Sequence, residues 1–415
     1  MIQKLRGMVD LYGKDGRKYE YIVDRFSSIA KNFGFEYIKT PVLEETVLFN
    51  RSIGNDTDIV SKEMYSFQDR GERNITLRPE GTASVVRSLL ENKLYANLPQ
   101  KFFYHGSMFR YERPQKGRQR EFNQFGVETF GYNRPIHDVE IILLAYKMLE
   151  SLGIKNLLVN INSLGTIEDR KLYLNELKKH LAPQIHHYCE DCQKRFQTNP
   201  LRILDCKMDA YKEATLTAPI LLDYLNEVSK HNFYEVLNTL NELKISYSVD
   251  NKLVRGLDYY CDTIFEITSA DERIGAQSTL VGGGRYNKLS EILGGKPLPS
   301  IGFAFGIERL MLLLDDEKFE FKTLDYFIIN LTSNSSILFD ILTKIRENNL
   351  SCDFNSNGEN LKNGFRLAEK FNARNIILIG DQELKNKTLT IKNVEQKTQK
   401  EININDFYKG IKNDK

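Results

Sequence analysis

With 415 residues, the chain is longer than one hydrophobic core ordinarily organises, and two or three domains are expected. Apolar residues make up 41% and charged residues 27%, a globular balance, and 58 Lys and Arg against 56 Asp and Glu leave a net charge of only +2. No global basic field exists, so any nucleic-acid contact has to come from local patches. Met1 to Asp10 lacks the apolar run of a signal peptide, and nowhere do 18 apolar residues follow one another. A cytoplasmic protein with no membrane partner is expected.

The chain opens with a turn at Arg6 and Gly7. An amphipathic helix is then expected from about Gly16, with Tyr19, Val23, Phe26, Ile29 and Phe33 at helical spacing and Gly34 as its stop. Phe35 to Phe49 reads as an extended piece broken by Pro41. Short paired strands are expected at Met64 to Phe67 and Ile75 to Leu77, followed by the turn Arg78-Pro79-Glu80-Gly81-Thr82 into a helix over Thr82 to Leu90. Glu80 at that helix start has two readings. It either supports a cap made by Thr82, or forms a carboxylate site for an ammonium group.

Phe103 to Gly131 reads as a hairpin with a long loop. Arg110, Arg113, Lys116, Arg118 and Arg120 cluster in and beside that loop, answered by Glu112, Glu121 and Glu128. An arginine fork gives paired hydrogen bonds to two phosphate oxygens and keeps its charge, so Arg110 suits a phosphorus centre that gains negative charge during displacement. A salt-bridged surface hairpin is the alternative.

A helix over Asp138 to Leu152 and a strand over Leu157 to Ile161 follow. From about Thr166 to Tyr247 the chain is lysine-rich and helical, and reads as an insertion. Five cysteines (Cys189, Cys192, Cys206, Cys261 and Cys352) argue for free thiols over disulfides. Cys189-x-x-Cys192, with His186 and His187 before it and Cys206 beyond, has ligand-like spacing; a structural zinc and thiols on a helical turn are both open readings. No metal ligand is assigned from the residues.

Strand signals return at Ser246 to Val249 and at Thr263 to Ile267. Gly282-Gly283-Gly284 then removes the side chains from one wall, which suits a tight turn or the close approach of a flat ring. A strand over Ile301 to Phe305 enters a helix at Gly306, with Glu308 and Arg309 in its first turn. Arginine there does not favour the helix, and a bound anion would account for it. From about Thr323, strands (Tyr326 to Leu331, Leu350 to Phe354, Ile376 to Ile379) alternate with helices (Ser336 to Asn348, Leu361 to Phe371), implying a small α/β domain with a parallel sheet. A hairpin about Leu389 to Lys392 and a short helix end it.

The run Phe109-Arg110-Tyr111-Glu112, its loop, and Arg120-Glu121-Phe122 with Gln124 and Glu128 resembles motif 2 of the class II aminoacyl-tRNA synthetases. Thr76 to Thr82, Leu253-Val254-Arg255-Gly256-Leu257-Asp258-Tyr259-Tyr260, and Gly306-Ile307-Glu308-Arg309-Leu310 are similar to the histidyl-tRNA synthetase signatures, in the family's order. The resemblance implies a mixed α/β and α+β multidomain fold. Its catalytic core on an antiparallel sheet would span residues 1–322, with motif 1 at about 16–49, motif 2 at about 103–131 and motif 3 at about 301–314. A helical insertion at 166–247 and an anticodon-binding α/β domain at 323–415 would complete it. It also implies a homodimer.

By the same resemblance the chain is an ATP-dependent ligase of protein biosynthesis, joining L-histidine to tRNA(His) through histidyl-adenylate, with Mg²⁺ screening the polyphosphate. Arg110, Arg255 and Arg309 would be catalytic. Glu80, Gly81, Thr82, Arg110, Gln124, Glu128, Arg255, Tyr259 and Tyr260 would bind histidine, with Glu128 and a tyrosine hydroxyl serving the two ring nitrogens. Arg110, Glu112, Arg118 and Arg309 would hold ATP, and Arg113, Gln115 and Lys116 would meet the acceptor end of the tRNA. Two rivals share the catalytic fold: a non-catalytic, histidine-sensing regulatory subunit of ATP phosphoribosyltransferase, and a class II synthetase for another amino acid such as threonine or proline.

Overall fold

The structure is a computed structural model that describes residues 2–54, 57–275, 279–320, 323–355 and 360–411. It divides into two compact units, Met1–Leu314 and Asp315–Lys415.

The first unit is built on an eight-stranded sheet. Its strands run Glu36–Tyr37, Gln100–Phe109, Glu121–Phe130, Ser300–Gly306, Thr279–Arg285, Cys261–Ser269, Leu157–Ser163 and Tyr247–Val249. The inner strands are all antiparallel, and only the two short edge strands pair parallel to their neighbours. Side chains alternate across a sheet, so the register sorts them onto two faces. One face carries Phe103, Phe125, Val127, Phe303, Phe305, Val281, Phe265 and Ile267, all buried. The helices Gly13–Asn32 and Pro135–Ser151 cover it; Phe26 from the first sits with its ring centre 5.4 Å from Phe125 and 4.8 Å from Phe305. The other face carries Tyr104, Gly106, Gln124, Gly126, Glu128, Gly302, Ala304, Gly282 and Glu266. It is polar and low in side-chain bulk, a floor open to a ligand.

The register corrects two expectations. The three glycines do not form one wall: Gly282 and Gly284 belong to the polar face, while Gly283 packs against Phe303 and Phe265 on the other. The extended piece ends at Glu45, and Leu48 and Phe49 lie in a helix, Thr46–Ile53, with both side chains buried. The strand Leu43–Glu45 instead joins Asn74–Leu77 and Tyr65–Gln68 in a separate three-stranded sheet.

Lys18, in the helix Gly13–Asn32, is buried, and its ammonium group donates to the carbonyls of Met311 (3.1 Å) and Leu314 (3.0 Å). The Met311 carbonyl ends the short helix Ile307–Met311 that carries Arg309, and Leu314 follows three residues later. Lys18→Met leaves both carbonyls buried without this donor, and a loss of about 1–3 kcal/mol in urea unfolding is expected. An unchanged midpoint would show that other donors serve them.

Between Thr166 and Tyr247 the chain is helical, with Ile167–Leu181, Glu190–Thr198 and Glu227–Glu242 as its longest elements. A capping box of Thr166 and Asp169 starts the first of them. In the second unit, Cys352–Phe354, Leu324–Asn330 and Ala373–Ile379 are parallel, as the strand–helix alternation predicts. Thr388–Asn393 and Thr398–Asn403 add antiparallel strands, so the sheet is mixed and larger than the single hairpin signal suggested. Among the described residues no helix is long and apolar enough to cross a membrane.

Candidate active site

The long hairpin positions the first functional groups. Its strands pair without a break from Gln100 opposite Phe130 to Phe109 opposite Glu121, and one more backbone bond, from the Arg110 N–H to the Arg120 carbonyl, fixes Arg110 just past the strand end. The Arg110 Nε donates to the Pro79 carbonyl at 2.9 Å, and the guanidinium lies over the Phe122 ring at 5.2 Å. The guanidinium is thereby held on two sides, and Arg110 lines the adjoining cleft.

Arg110 shares that cleft with Arg255 and Arg309, along with Glu112, Gly117, Arg118, Gln124 and Gly282. Three arginines from separate parts of the chain thus meet over the polar floor. Arg255 is ion-paired to Glu266, and its guanidinium lies 5.8 Å from the Tyr260 ring centre. Burial works against its charge, and Glu266 together with Tyr260 and Tyr259 more than offsets that cost. Any Cβ at Gly282 would overlap the Arg255 guanidinium, so glycine there is a condition for the arginine to lie flat on the sheet. Arg309 donates to the Thr279 carbonyl. Burial, then the nearby Arg118, presses its pKa down, a position an anion would relieve. Glu308 faces the sheet: its carboxylate accepts the Asn123 N–H at 2.8 Å and the Asn123 amide at 2.9 Å, which ties the short helix to the hairpin.

At the inner end of the floor lie the groups expected to bind histidine. Glu80 accepts the N–H groups of Thr82 (2.6 Å) and Ala83 (2.8 Å), so it is Glu80 that caps the Thr82–Glu91 helix. The Thr82 hydroxyl turns away from that role and donates to Glu128 at 2.7 Å. Of the two readings open at this helix start, the cap by Thr82 is not made, and Glu80 is both a cap and a buried carboxylate, its pKa raised by desolvation. Gly81 lies against the ring of Tyr104, where no side chain fits.

Glu128 is 1% exposed and does not answer the loop arginines. Hydroxyl groups cage it instead: Thr82 and Tyr104 (3.2 Å) on one oxygen, Tyr286 on the other. Burial pushes its pKa up to about 8. Between the ordinary carboxyl value of 4.5 and about 8 the folded protein therefore holds a proton that the unfolded chain has lost, so this group's contribution to stability declines as pH rises through that window.

Three buried polar atoms in this region have no hydrogen-bond partner among the described residues: Gln124 Oε1, Arg255 Nε and the Tyr259 hydroxyl. Leaving such atoms unmade costs about 1–3 kcal/mol each, and native proteins rarely tolerate it without a reason. All three were expected at the amino acid site, and a bound ligand would complete them. Tyr259 and Tyr260 are both buried, with ring centres 4.7 Å apart. Of the two, Tyr259 is the one with an unused hydroxyl.

In the loop, Arg118 pairs with Glu112 at 3.1 Å, and Arg120 stacks on Tyr111 at 3.7 Å. Arg113, Gln115 and Lys116 are exposed and absent from the lining of the cleft. The roles read from sequence omit Tyr104, Tyr286, Glu266 and Thr279, whose work is to hold Glu128, Arg255 and Arg309.

A family model described as histidyl-tRNA synthetase matches residues 7–310. The chain belongs to the histidyl-tRNA synthetase family. An anticodon binding domain model matches residues 325–414, nearly the whole of the second unit. The histidine–tRNA ligase of Staphylococcus haemolyticus is 44% identical over 414 residues, covering 98% of both chains, and that of Oceanobacillus iheyensis is 44% identical over 96% of this chain and 94% of its own. The crystal structure of the apo histidyl-tRNA synthetase of S. aureus superposes with a TM-score of 0.82 at 38% identity, covering 99% of this chain and 100% of that one. The antiparallel sheet with its polar floor is therefore the class II synthetase core.

Proposed function

We propose that the chain activates L-histidine with ATP and transfers it to the 3′ end of tRNA(His). The observation that carries this reading is the meeting of Arg110, Arg255 and Arg309 in one cleft beside Gln124, with an unused buried hydroxyl at Tyr259. Three cations at one polar floor suit a triphosphate, and the unpaired atoms suit a small polar ligand next to it.

In this mechanism the histidine carboxylate attacks the α-phosphorus of ATP; the bond to the β-phosphate oxygen breaks and pyrophosphate leaves. Arg110 and Arg255 grip the carboxylate and α-phosphate from two sides, so the charge that builds on the phosphorus oxygens meets fixed donors. Arg309 holds the outer phosphates, with Arg118 and Glu112 helping on the nucleotide. ATP enters as its Mg²⁺ complex. The cleft offers hard oxygen donors, and Glu112, half-buried on its wall, is the carboxylate that would hold the ion, whose charge screens the phosphates. Glu80, Gly81, Thr82 and Gln124 fix the amino acid backbone, and the imidazole lies between Glu128 and Tyr259, with Tyr260 as wall. Arg113, Gln115 and Lys116 meet the acceptor end, and the second unit meets the anticodon. A cytoplasmic homodimer is the expected state.

Histidine-dependent exchange of label between pyrophosphate and ATP tests the reading. Exchange with histidine alone supports it; exchange with threonine or proline favours another synthetase; none with any amino acid favours the histidine-sensing subunit.

Proton counting makes a further prediction. Below about pH 6.5 free histidine is an imidazolium, and up to about pH 8 Glu128 keeps its proton, so the bound pair needs just one of the two. Above pH 8, wild-type protein is expected to take up one proton more on binding histidine than Glu128→Gln does, measured calorimetrically in buffers of different ionisation enthalpy. Equal uptake would place Glu128 away from the ring.

A further inference from the structure

The helical segment between Thr166 and Tyr247 holds a side-chain cluster that the reaction does not use. The Sγ atoms of Cys189, Cys192 and Cys206 and a carboxylate oxygen of Asp209 all lie within 4.8 Å of one another. Cys189 caps the Glu190–Thr198 helix and Cys192 lies in its first turn, while Cys206 and Asp209 follow the short turn Pro200–Ile203. Two pairs with the same three-residue spacing therefore face each other.

The ordinary explanation is that thiols fill a hydrophobic core, and Cys192 (0% exposed) and Cys206 (7%) do pack with Tyr188, Leu201 and Leu204. It does not account for Asp209. A carboxylate 2% exposed is costly among apolar groups unless something compensates its charge. One oxygen meets Lys212 at 3.1 Å. The other accepts the Cys189 N–H at 2.9 Å and lies 3.8 Å from the Cys206 sulfur. That second oxygen is the one turned into the thiols.

We propose that Cys189, Cys192, Cys206 and Asp209 bind one zinc ion as a closed structural site. Tetrahedral zinc with bonds of about 2.3 Å to sulfur and about 2.0 Å to oxygen sets sulfurs about 3.8 Å apart and sulfur and oxygen about 3.5 Å apart. The separations here are 3.9 Å between Cys189 and Cys206 and 3.8 Å between Cys206 and Asp209, and no pair among the four exceeds 4.8 Å, so the ligands close on an ion by shifts of about an ångström or less. Three soft sulfurs select zinc over magnesium or calcium. Lys212, on the outer oxygen of Asp209, offsets the excess negative charge of three thiolates and a carboxylate and orients the ligand. His186 and His187, the nearest imidazoles in sequence, are exposed; their rings lie against each other at a tilt of 45° and outside the cluster.

The site also has a structural task. The helix that begins at Cys189 carries Arg195, which donates to Asp58 at 3.1 Å, and the residue after it, Asn199, donates to Asp258 at 2.7 Å. Asp258 lies between Arg255 and Tyr259, so a metal that pins the helix start steadies the segment carrying both groups.

Full-length protein purified under reducing conditions is expected to contain one zinc per chain by elemental analysis. After chelation, one cobalt(II) ion should bind and give the thiolate charge-transfer and strong visible bands of a tetrahedral site. Cys192→Ser and, at the less buried position, Cys189→Ser should lose stoichiometric metal, while Cys352→Ser keeps it. Wild-type protein that takes up neither ion in stoichiometric amount, a disulfide between Cys189 and Cys206 in the reduced preparation, or unchanged metal content in both serine variants would overturn the site.

Discussion

Arg255→Ala is expected to slow formation of the adenylate by about 10²–10³-fold, equivalent to about 3–4 kcal/mol of barrier, while the fold is retained. The size follows from the position of the group: Arg255 lies flat on the sheet against Gly282, held by Glu266, with Nε unused. A donor already in place gains most when charge develops beside it, because no reorganisation is needed at the moment of reaction. The variant also strips Glu266 of its cation, which has an independent control. Should the loss come from that carboxylate alone, Arg255→Ala with Glu266→Gln would recover the rate; no recovery is expected. Single-turnover quench at saturating ATP and histidine reads the step directly, and an unchanged rate would remove Arg255 from the reaction.

Glu128 carries the second large effect. Its replacement by alanine is expected to weaken histidine binding far more than ATP binding, but alanine also leaves the hydroxyls of Thr82, Tyr104 and Tyr286 without their shared acceptor. Glu128→Gln preserves the shape and most of the cage, so it isolates the charge. A hydrogen bond to a charged group contributes about 1.5–3 kcal/mol, so the histidine Kd should rise about 10- to 100-fold. The ATP Kd should stay nearly constant. Equal weakening of both ligands would make Glu128 a structural residue.

The sequence carried the chemistry of the site further than its support. Motif spacing brings Arg110, Arg255 and Arg309 forward because each sits at a defined point of a strand end, a loop or a helix start, and those local patterns survive in one dimension. What holds them does not. Tyr104 and Tyr286 reach Glu128 across 24 and 158 residues, contacts made by strand register that no local period records. Glu80 and Thr82 show the same limit at short range. Both were placed at the helix start, yet which one caps depends on Glu128 drawing the threonine hydroxyl away. The glycine run does not form one wall because period-two alternation sends Gly283 to the face opposite Gly282 and Gly284, and that alternation is legible in the sequence. The repeat of spacing between Cys189-x-x-Cys192 and Cys206-x-x-Asp209 is visible in one dimension, but only the fold brings Asp209 beside the three thiols and leaves His186 and His187 exposed outside the cluster.

The most direct test is a crystal structure with L-histidine and a non-hydrolysable ATP analogue. The account predicts the α-phosphate within hydrogen-bond reach of both Arg110 and Arg255, Arg309 on the outer phosphates, and the imidazole between Glu128 and the Tyr259 hydroxyl. A triphosphate bound outside this cleft, or an imidazole that leaves Glu128 and Tyr259 untouched, would contradict it.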